Sequence, residues 1–279
     1  MSKVNSIIHV KDLWHTYPDG TTALKGLSLD VSRSEFLAII GQNGSGKTTL
    51  AKHFNGLLKP TKGIVIVDGV DTRKTSTSTL ATKVGYTFQN PDHQICCPTV
   101  EAEVAFGPKQ LDLSEEEIRR RVDKWLGMLG LEGFRDEHPF FLNKAERQRV
   151  TVASMLAMEP EVLVVDEPTT GMDWKQSYAA LDMLKSLNAT GKTVIIITHN
   201  MRLVAEYARR VIVMLDGLVL IEGSVEEVFS RSDILSKAFL RPPQVTELAH
   251  KLKEFGVPPT VLNVQQMHGI LGRFYEELS

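Results

Sequence analysis

Short apolar runs separated by turn residues fill the first third of the chain, at residues 7–13, 27–31, 36–40, 64–67 and 84–88. Their length and β-branched content fit strands, and the simplest arrangement is an antiparallel β layer feeding the strand at 36–40. A helical spacing at 48–57 ends before Lys59-Pro60, because proline cannot continue a helix. From 99 to 158 the pattern turns helical, and Ser114 followed by Glu115, Glu116 and Glu117 reads as a capped helix start ahead of Ile118, Val122, Trp125, Leu126 and Leu129. Strands return at 162–166, 193–198 and 211–215, with helical stretches at 174–187 and 201–208 between them. Strand and helix in alternation predict an α/β fold with a parallel sheet, a helical insertion and helices on both faces. Past Arg241-Pro242-Pro243 a short tail carries helical patterns at 245–255 and 264–275. In the second of these, Val264, Met267, Ile270, Leu271 and Phe274 share one face, for packing on the parent domain or on a partner chain. The segment 72–79 reads as a polar loop.

Composition narrows the classes. With 279 residues, 42% of them hydrophobic and 24% charged, the chain has material for a full core. A formal net charge of -2 gives no broad basic field, so nucleic acid is not expected as a partner. No apolar run reaches the roughly 18–20 residues of a membrane-spanning helix, and Met1 to Asn5 lacks the start of a secretion signal. A cytosolic setting is the expectation. The two cysteines, Cys96 and Cys97, are adjacent. A bridge between them would be strained and their spacing supports no metal site, so they read as reduced packing residues.

The chemistry begins at Gly41-Gln42-Asn43-Gly44-Ser45-Gly46-Lys47-Thr48-Thr49, which lies between a strand and a helix. Every fixed position of the phosphate-binding pattern G-x-x-x-x-G-K-[ST] is present. Glycines permit the tight turn, backbone N–H groups converge on a phosphate, and the helix start adds its positive end. Lys47 would reach the β- and γ-phosphates of a nucleoside triphosphate, and the Thr48 hydroxyl would ligate Mg²⁺. Downstream, the apolar strand 162–165 ends in Asp166 and Glu167. Asp166 is the expected Mg²⁺ carboxylate, and Glu167 the group that orients and deprotonates the attacking water. His199 follows the strand 193–198 at the same carboxyl edge, within reach of the γ-phosphate and that water, and Gln89 closes the strand at 84–88 there.

The ordered series resembles the nucleotide-binding subunits of ATP-binding cassette transporters over residues 6–240. The resemblance implies a P-loop NTPase domain at 6–240, with its helical subdomain at about 95–160 and a C-terminal extension at 241–279. It makes Tyr17 the aromatic that stacks on adenine, Gln89 the Q-loop residue and a further metal contact, Asp173 of Gly171-Met172-Asp173 the D-loop residue, and His199 the switch histidine. Phe88 to Ile95, Val104 to Pro108 and the tail from Pro242 to Ala249 look more narrowly like the energy-coupling-factor branch, which drives uptake of vitamins and of cobalt or nickel ions. For that branch the implied partners are a second ATPase, contacted through the extension, a transmembrane coupling subunit and a substrate-binding membrane component. The implied location is the cytoplasmic face of the membrane.

One segment departs from the family. Where Leu-Ser-Gly-Gly-Gln is usual, this chain has Leu142-Asn143-Lys144-Ala145-Glu146. Asn143 can still donate a hydrogen bond to the γ-phosphate of a partner's ATP, but the backbone freedom of two glycines is gone. The expectation is a heterodimer with unequal sites, the other arrangement being a homodimer in which both sites carry Asn143 and Ala145. The alternatives are the ATPase of another importer, or a regulatory nucleotide sensor that hydrolyses little. Cassette proteins of DNA repair or translation would need coiled coils, zinc modules or duplicated cassettes.

Overall fold

The computed structural model describes residues 6–278, so the reading of Met1 to Asn5 and the end of the extension at Ser279 lie outside it. Two sheets carry the fold. The smaller contains β1 (Ser6–Thr16), β2 (Thr22–Ser32), β4 (Lys62–Val67) and β5 (Val70–Asp71), in the order β2-β1-β4-β5 and antiparallel throughout. In β2, buried Leu27, Leu29 and Val31 alternate with exposed Ser28, Asp30 and Ser32, as a sheet with one wet face requires.

The larger sheet has six strands in the order β10-β9-β3-β8-β7-β6, using β3 (Phe36–Gly41), β6 (Val84–Thr87), β7 (Val162–Asp166), β8 (Thr193–Ile197), β9 (Arg210–Leu215) and β10 (Leu218–Ser224). All neighbours are parallel except the β9–β10 hairpin. In β3, β6, β7 and β8 every residue is buried, because layers cover both faces of a parallel sheet. Phe36, Ala38 and Ile40 enter the core shared with the helical insertion. Leu37 and Ile39 enter the core shared with the small sheet and α1 (Lys47–Phe54).

The strand at 84–88, expected in the antiparallel layer, instead pairs parallel with β7 at the edge of the large sheet. All four of its residues, Val84 to Thr87, are buried with no wet face, as a strand covered on both sides requires. Strand β10 was not expected. Asp216 and Gly217 join it to β9 with φ of 49° and 81°, the left-handed pair that a tight hairpin turn demands. Helix α1 stops at Phe54, earlier than Lys59-Pro60 would enforce, since Gly56 turns the chain at φ 72°. Within the expected polar loop, Ser76 caps a short helix α2 (Thr77–Ala81).

The insertion contains α3 (Val100–Phe106), α4 (Glu115–Met128) and α5 (Lys144–Ala157). Ser114 caps α4, and Ile118, Val122, Trp125 and Leu126 are its buried face. Helices α6 (Trp174–Ala189) and α7 (Met201–Tyr207) flank β8 in the chain, and α8 (Val225–Phe229) and α9 (Ser232–Lys237) follow β10. The tail forms α10 (Gln244–Lys251) and α11 (Val264–Leu278) around a small core of Ala249, Val257, Val261 and Met267. Ile270 and Phe274 pack on that core, whereas Val264 and Leu271 of the expected face are exposed. Among the described residues no helix is long and apolar enough to cross a membrane.

Candidate active site

The chain leaves β3 at Gly41, loops through Gly46 and enters α1 at Lys47. Gly41 has φ 153°, and a Cβ there would stand 2.4 Å from the Met214 carbonyl oxygen of β9. Only glycine lets the loop pass that close to the neighbouring strand. Gly44 (φ 81°) and Gly46 (φ 100°) also adopt left-handed backbone. The N–H groups of the first turn of α1 lack partners within the helix, so they form an anion cradle with the positive helix end.

A cavity of about 450 Å³ opens over this cradle. It brings together Tyr17, Asn43, Gly44, Gly46, Lys47, Thr48, Thr49, Gln89, Asp166 and Glu167. Gly41 and Ser45 are not among its lining residues, and both are buried. Thr21, Ala23 and Ile197 also line it, and nothing in their residue type marks them out in the sequence.

Lys47 is buried and its Nζ donates to the Gly41 carbonyl at 2.8 Å and the Gln42 carbonyl at 2.7 Å. Burial holds its pKa below the usual lysine range, and the carboxylates of Glu167 and Asp166 pull it partly back. Thr48 Oγ1 donates to Asp166 Oδ2 at 2.9 Å, and the Tyr86 hydroxyl donates to the same oxygen at 3.1 Å. Tyr86 was missed at the sequence level, because only the β6–β7 pairing brings it beside Asp166. Burial raises the Asp166 pKa, against the two hydroxyl donors and Lys47. Burial also raises Tyr86, and Asp166 adds to the rise. The donors around Asp166 are hard carboxylate and hydroxyl oxygens, a set that fits Mg²⁺.

Glu167 follows β7 with φ 54°, a conformation uncommon for a residue with a side chain. Its N–H donates to the Ile197 carbonyl at 2.8 Å, which ties the turn to β8. Its Oε1 stands 2.8 Å from His199 Nδ1, and Thr198 Oγ1 lies 3.4 Å from Oε2. His199 is 78% exposed in its side chain, Glu167 only 11%. One carboxylate is thus held by the wall while the imidazole over it stays open. The Tyr17 hydroxyl pairs with Thr49 Oγ1 at 3.0 Å, and the His15 ring meets the Tyr17 ring edge-on at 4.7 Å.

Asn143 and Asp173 are not part of this cavity. Each caps a helix: Asn143 Oδ1 accepts from the Glu146 N–H at 3.0 Å to start α5, and Asp173 Oδ1 accepts from the Gln176 N–H at 2.8 Å to start α6. Both have the reciprocal partner of a capping box.

A phosphate loop between a parallel strand and a helix, faced by strand-end carboxylates, defines the P-loop class of nucleotide-binding proteins. Within it, the family model described as ABC transporter matches residues 24–170, and the chain belongs to that family, whose domain binds ATP. It is 48% identical over 261 residues to a longer protein of Caldanaerobacter subterraneus subsp. tengcongensis, matching 94% of this chain and 45% of that one. The chain thus spans under half the length of the first relatives it matches. The energy-coupling factor transporter ATP-binding protein EcfA of Methanocaldococcus jannaschii is 45% identical, over 89% of this chain and 90% of that relative. Among solved structures, cbiO1 of Clostridium perfringens, described as part of the ABC transporter complex cbiONQ, superposes with a TM-score of 0.74 at 37% identity, covering 88% of this chain and 99% of that one. A dimeric ATP-binding cassette in a post-hydrolysis state with ADP and Pi gives 0.73 at 32% identity, over 78% of this chain and 98% of that one.

Proposed function

We propose that this chain is the ATP-hydrolysing subunit of an importer of the energy-coupling-factor type, for vitamins or transition-metal ions. The observation that carries the reading is the Glu167–His199 pair, of which Glu167 lines the cavity over the phosphate cradle. The similarity to EcfA and cbiO1 supports the choice of importer branch.

ATP enters with its adenine on the ring of Tyr17, whose hydroxyl pairs with Thr49. The loop amides from Gly44 to Thr49 grip the phosphates, and Lys47 turns its ammonium from the loop carbonyls to the β- and γ-oxygens. Thr48 and Asp166 are the residues that would hold Mg²⁺, with Gln89 reaching it from the β6 edge. Held there, Mg²⁺ would offset the negative charge that develops on the phosphate oxygens. Glu167 orients a water in line with the γ-phosphate and takes its proton, and His199 holds the carboxylate and contacts the phosphoryl group.

The second half of each ATP site comes from a second ATPase, whose segment corresponding to residues 142–146 of this chain lies over this chain's cradle. This chain's Asn143 and the Asp173 turn face the partner's ATP in return. Asn143 Oδ1 is engaged in capping α5, which leaves Nδ2 as the donor for a phosphate oxygen. Buried Ala145 stands where the usual loop has glycine, so the site completed by Asn143 is the weaker one and the functional pair is a heterodimer. Closure on ATP and opening after hydrolysis move a transmembrane coupling subunit at the cytoplasmic face of the membrane, while a separate membrane component binds the cargo. Nucleic acid has no part.

The test is steady-state ATP hydrolysis by the purified chain, alone and with its partner ATPase, beside Glu167→Gln. The variant should bind ATP and lose roughly 10²-fold or more in turnover. Unchanged turnover would remove Glu167 from the reaction. Rapid turnover by a homodimer would count against unequal sites.

A further inference from the structure

The adjacent cysteines acquire a third group only through the fold. Cys96 and Cys97 lie between Pro91–His93, a single helical turn, and the start of α3. Glu103, on α3, is 2% exposed, and its Oε2 accepts from the N–H of Cys96 at 2.9 Å and of Cys97 at 2.8 Å. These bonds fix the carboxylate against the two thiols, while its Oε1 accepts none of the hydrogen bonds among the described residues. One ligand atom from each of Cys96, Cys97 and Glu103 lies within 4.8 Å of the others. The two sulfurs are 4.0 Å apart. Two thiolates on one tetrahedral ion with bonds of about 2.3 Å stand roughly 3.8 Å apart, so the observed spacing needs almost no adjustment. A disulfide would need roughly 2.05 Å across neighbouring residues, a far larger distortion.

We propose that Cys96, Cys97 and Glu103 form a binding site for a thiophilic divalent cation of the zinc class, separate from the nucleotide site. The two sulfurs and one carboxylate oxygen supply three ligands. The fourth position opens toward a cavity of about 550 Å³ that Cys96 and Glu103 line together with Phe88 and Gln94. On binding, the thiols lose their protons to solvent and the carboxylate keeps its charge, so the ion meets three negative donors. Burial and the nearby Glu103 carboxylate push the Cys97 thiol up to about 12, a penalty on the thiolate that a bound cation reverses. The site ties the segment after Gln89 to α3.

The experiment is titration of the reduced full chain with Co²⁺ under anaerobic conditions, with ATP and excess Mg²⁺ present to occupy the nucleotide site. The readout is the near-ultraviolet thiolate-to-cobalt band. We expect the band to saturate at one ion per chain and to be bleached by Zn²⁺. Cys96→Ser and Cys97→Ser should each weaken binding by roughly tenfold or more, with ATP binding unchanged. Glu103→Gln keeps an acceptor for the two N–H groups, and it too should weaken Co²⁺ binding with its thermal midpoint maintained. The proposal is overturned by absence of the band, by saturation at half an ion per chain, which means an ion shared between two chains, or by undiminished affinity in Glu103→Gln.

Discussion

At the scale of the residue, the site combines groups that suit ATP better than they suit the ligand-free fold. Asp166 is buried and its pKa is raised. A carboxyl whose folded pKa exceeds its unfolded one weakens the fold once pH rises above the unfolded value, and that cost disappears as pH falls below it. Asp166→Asn should therefore raise the melting temperature of the ligand-free chain at neutral pH while removing the added stabilisation from Mg²⁺ and ATP. Differential scanning calorimetry with and without nucleotide checks both halves, and a lower ligand-free midpoint would refute the first. Much of this residue set was legible in advance. The phosphate loop is contiguous, so its spacing alone points to the residues that line the cavity, and Asp166-Glu167 sit at the end of an apolar strand. The Tyr86 hydroxyl and the Cys96–Cys97–Glu103 group were not legible, because each depends on side chains brought together across elements.

At the scale of the element, α1 both starts the phosphate cradle and carries a titration liability. His53 is fully buried in its last turn, with Nδ1 2.7 Å from the Thr49 carbonyl, Nε2 without a partner among the described residues, and its ring 4.8 Å from that of His15. Burial lowers its pKa to about 4, outweighing the hydrogen bond to Thr49. A histidine whose folded pKa lies below the unfolded value binds a proton more readily when unfolded, so stability present at neutral pH is lost as pH falls from about 6.5 toward 4. Between pH 6.5 and 5 this group alone should cost roughly 1–2 kcal/mol. His53→Leu should flatten that part of the stability profile in urea titrations at several pH values, and an unchanged slope would assign the loss to other groups. Elements were read from sequence where one cue dominated, as for α4 with Ser114 and its apolar stripe. They were misread where two cues competed: the Gly56 turn ended α1 before the proline, and Asp216-Gly217 carried a hairpin signal that the strand ending at 215 concealed.

At the scale of the whole molecule, the chain holds one full cradle and presents Asn143 elsewhere, so the two-chain arrangement proposed above divides the work. Asn143→Ala removes the cap of α5 and, in that arrangement, a donor to the partner's ATP. It should cost about 1 kcal/mol of stability and slow hydrolysis in the partner's site, leaving the site built on this chain's Lys47 and Glu167 near its normal rate. Single-turnover assays with one chain's water-activating glutamate disabled at a time, Glu167 in this chain, separate the two sites; equal loss at both would contradict the division. The sequence by itself determined the local chemistry, the phosphate loop and the strand-end carboxylates, which follow from spacing within one element, and the α/β alternation and helical insertion, which follow from the order of such patterns along the chain. Only the tertiary structure decided that the strand at 84–88 joins the parallel sheet, that Tyr86 and Thr48 share the Asp166 carboxylate, that His199 stands over Glu167, and that Glu103 meets the two cysteines. Strand order and cross-strand register set these contacts, and both arise from how separate apolar faces are buried together, a property that no single segment encodes.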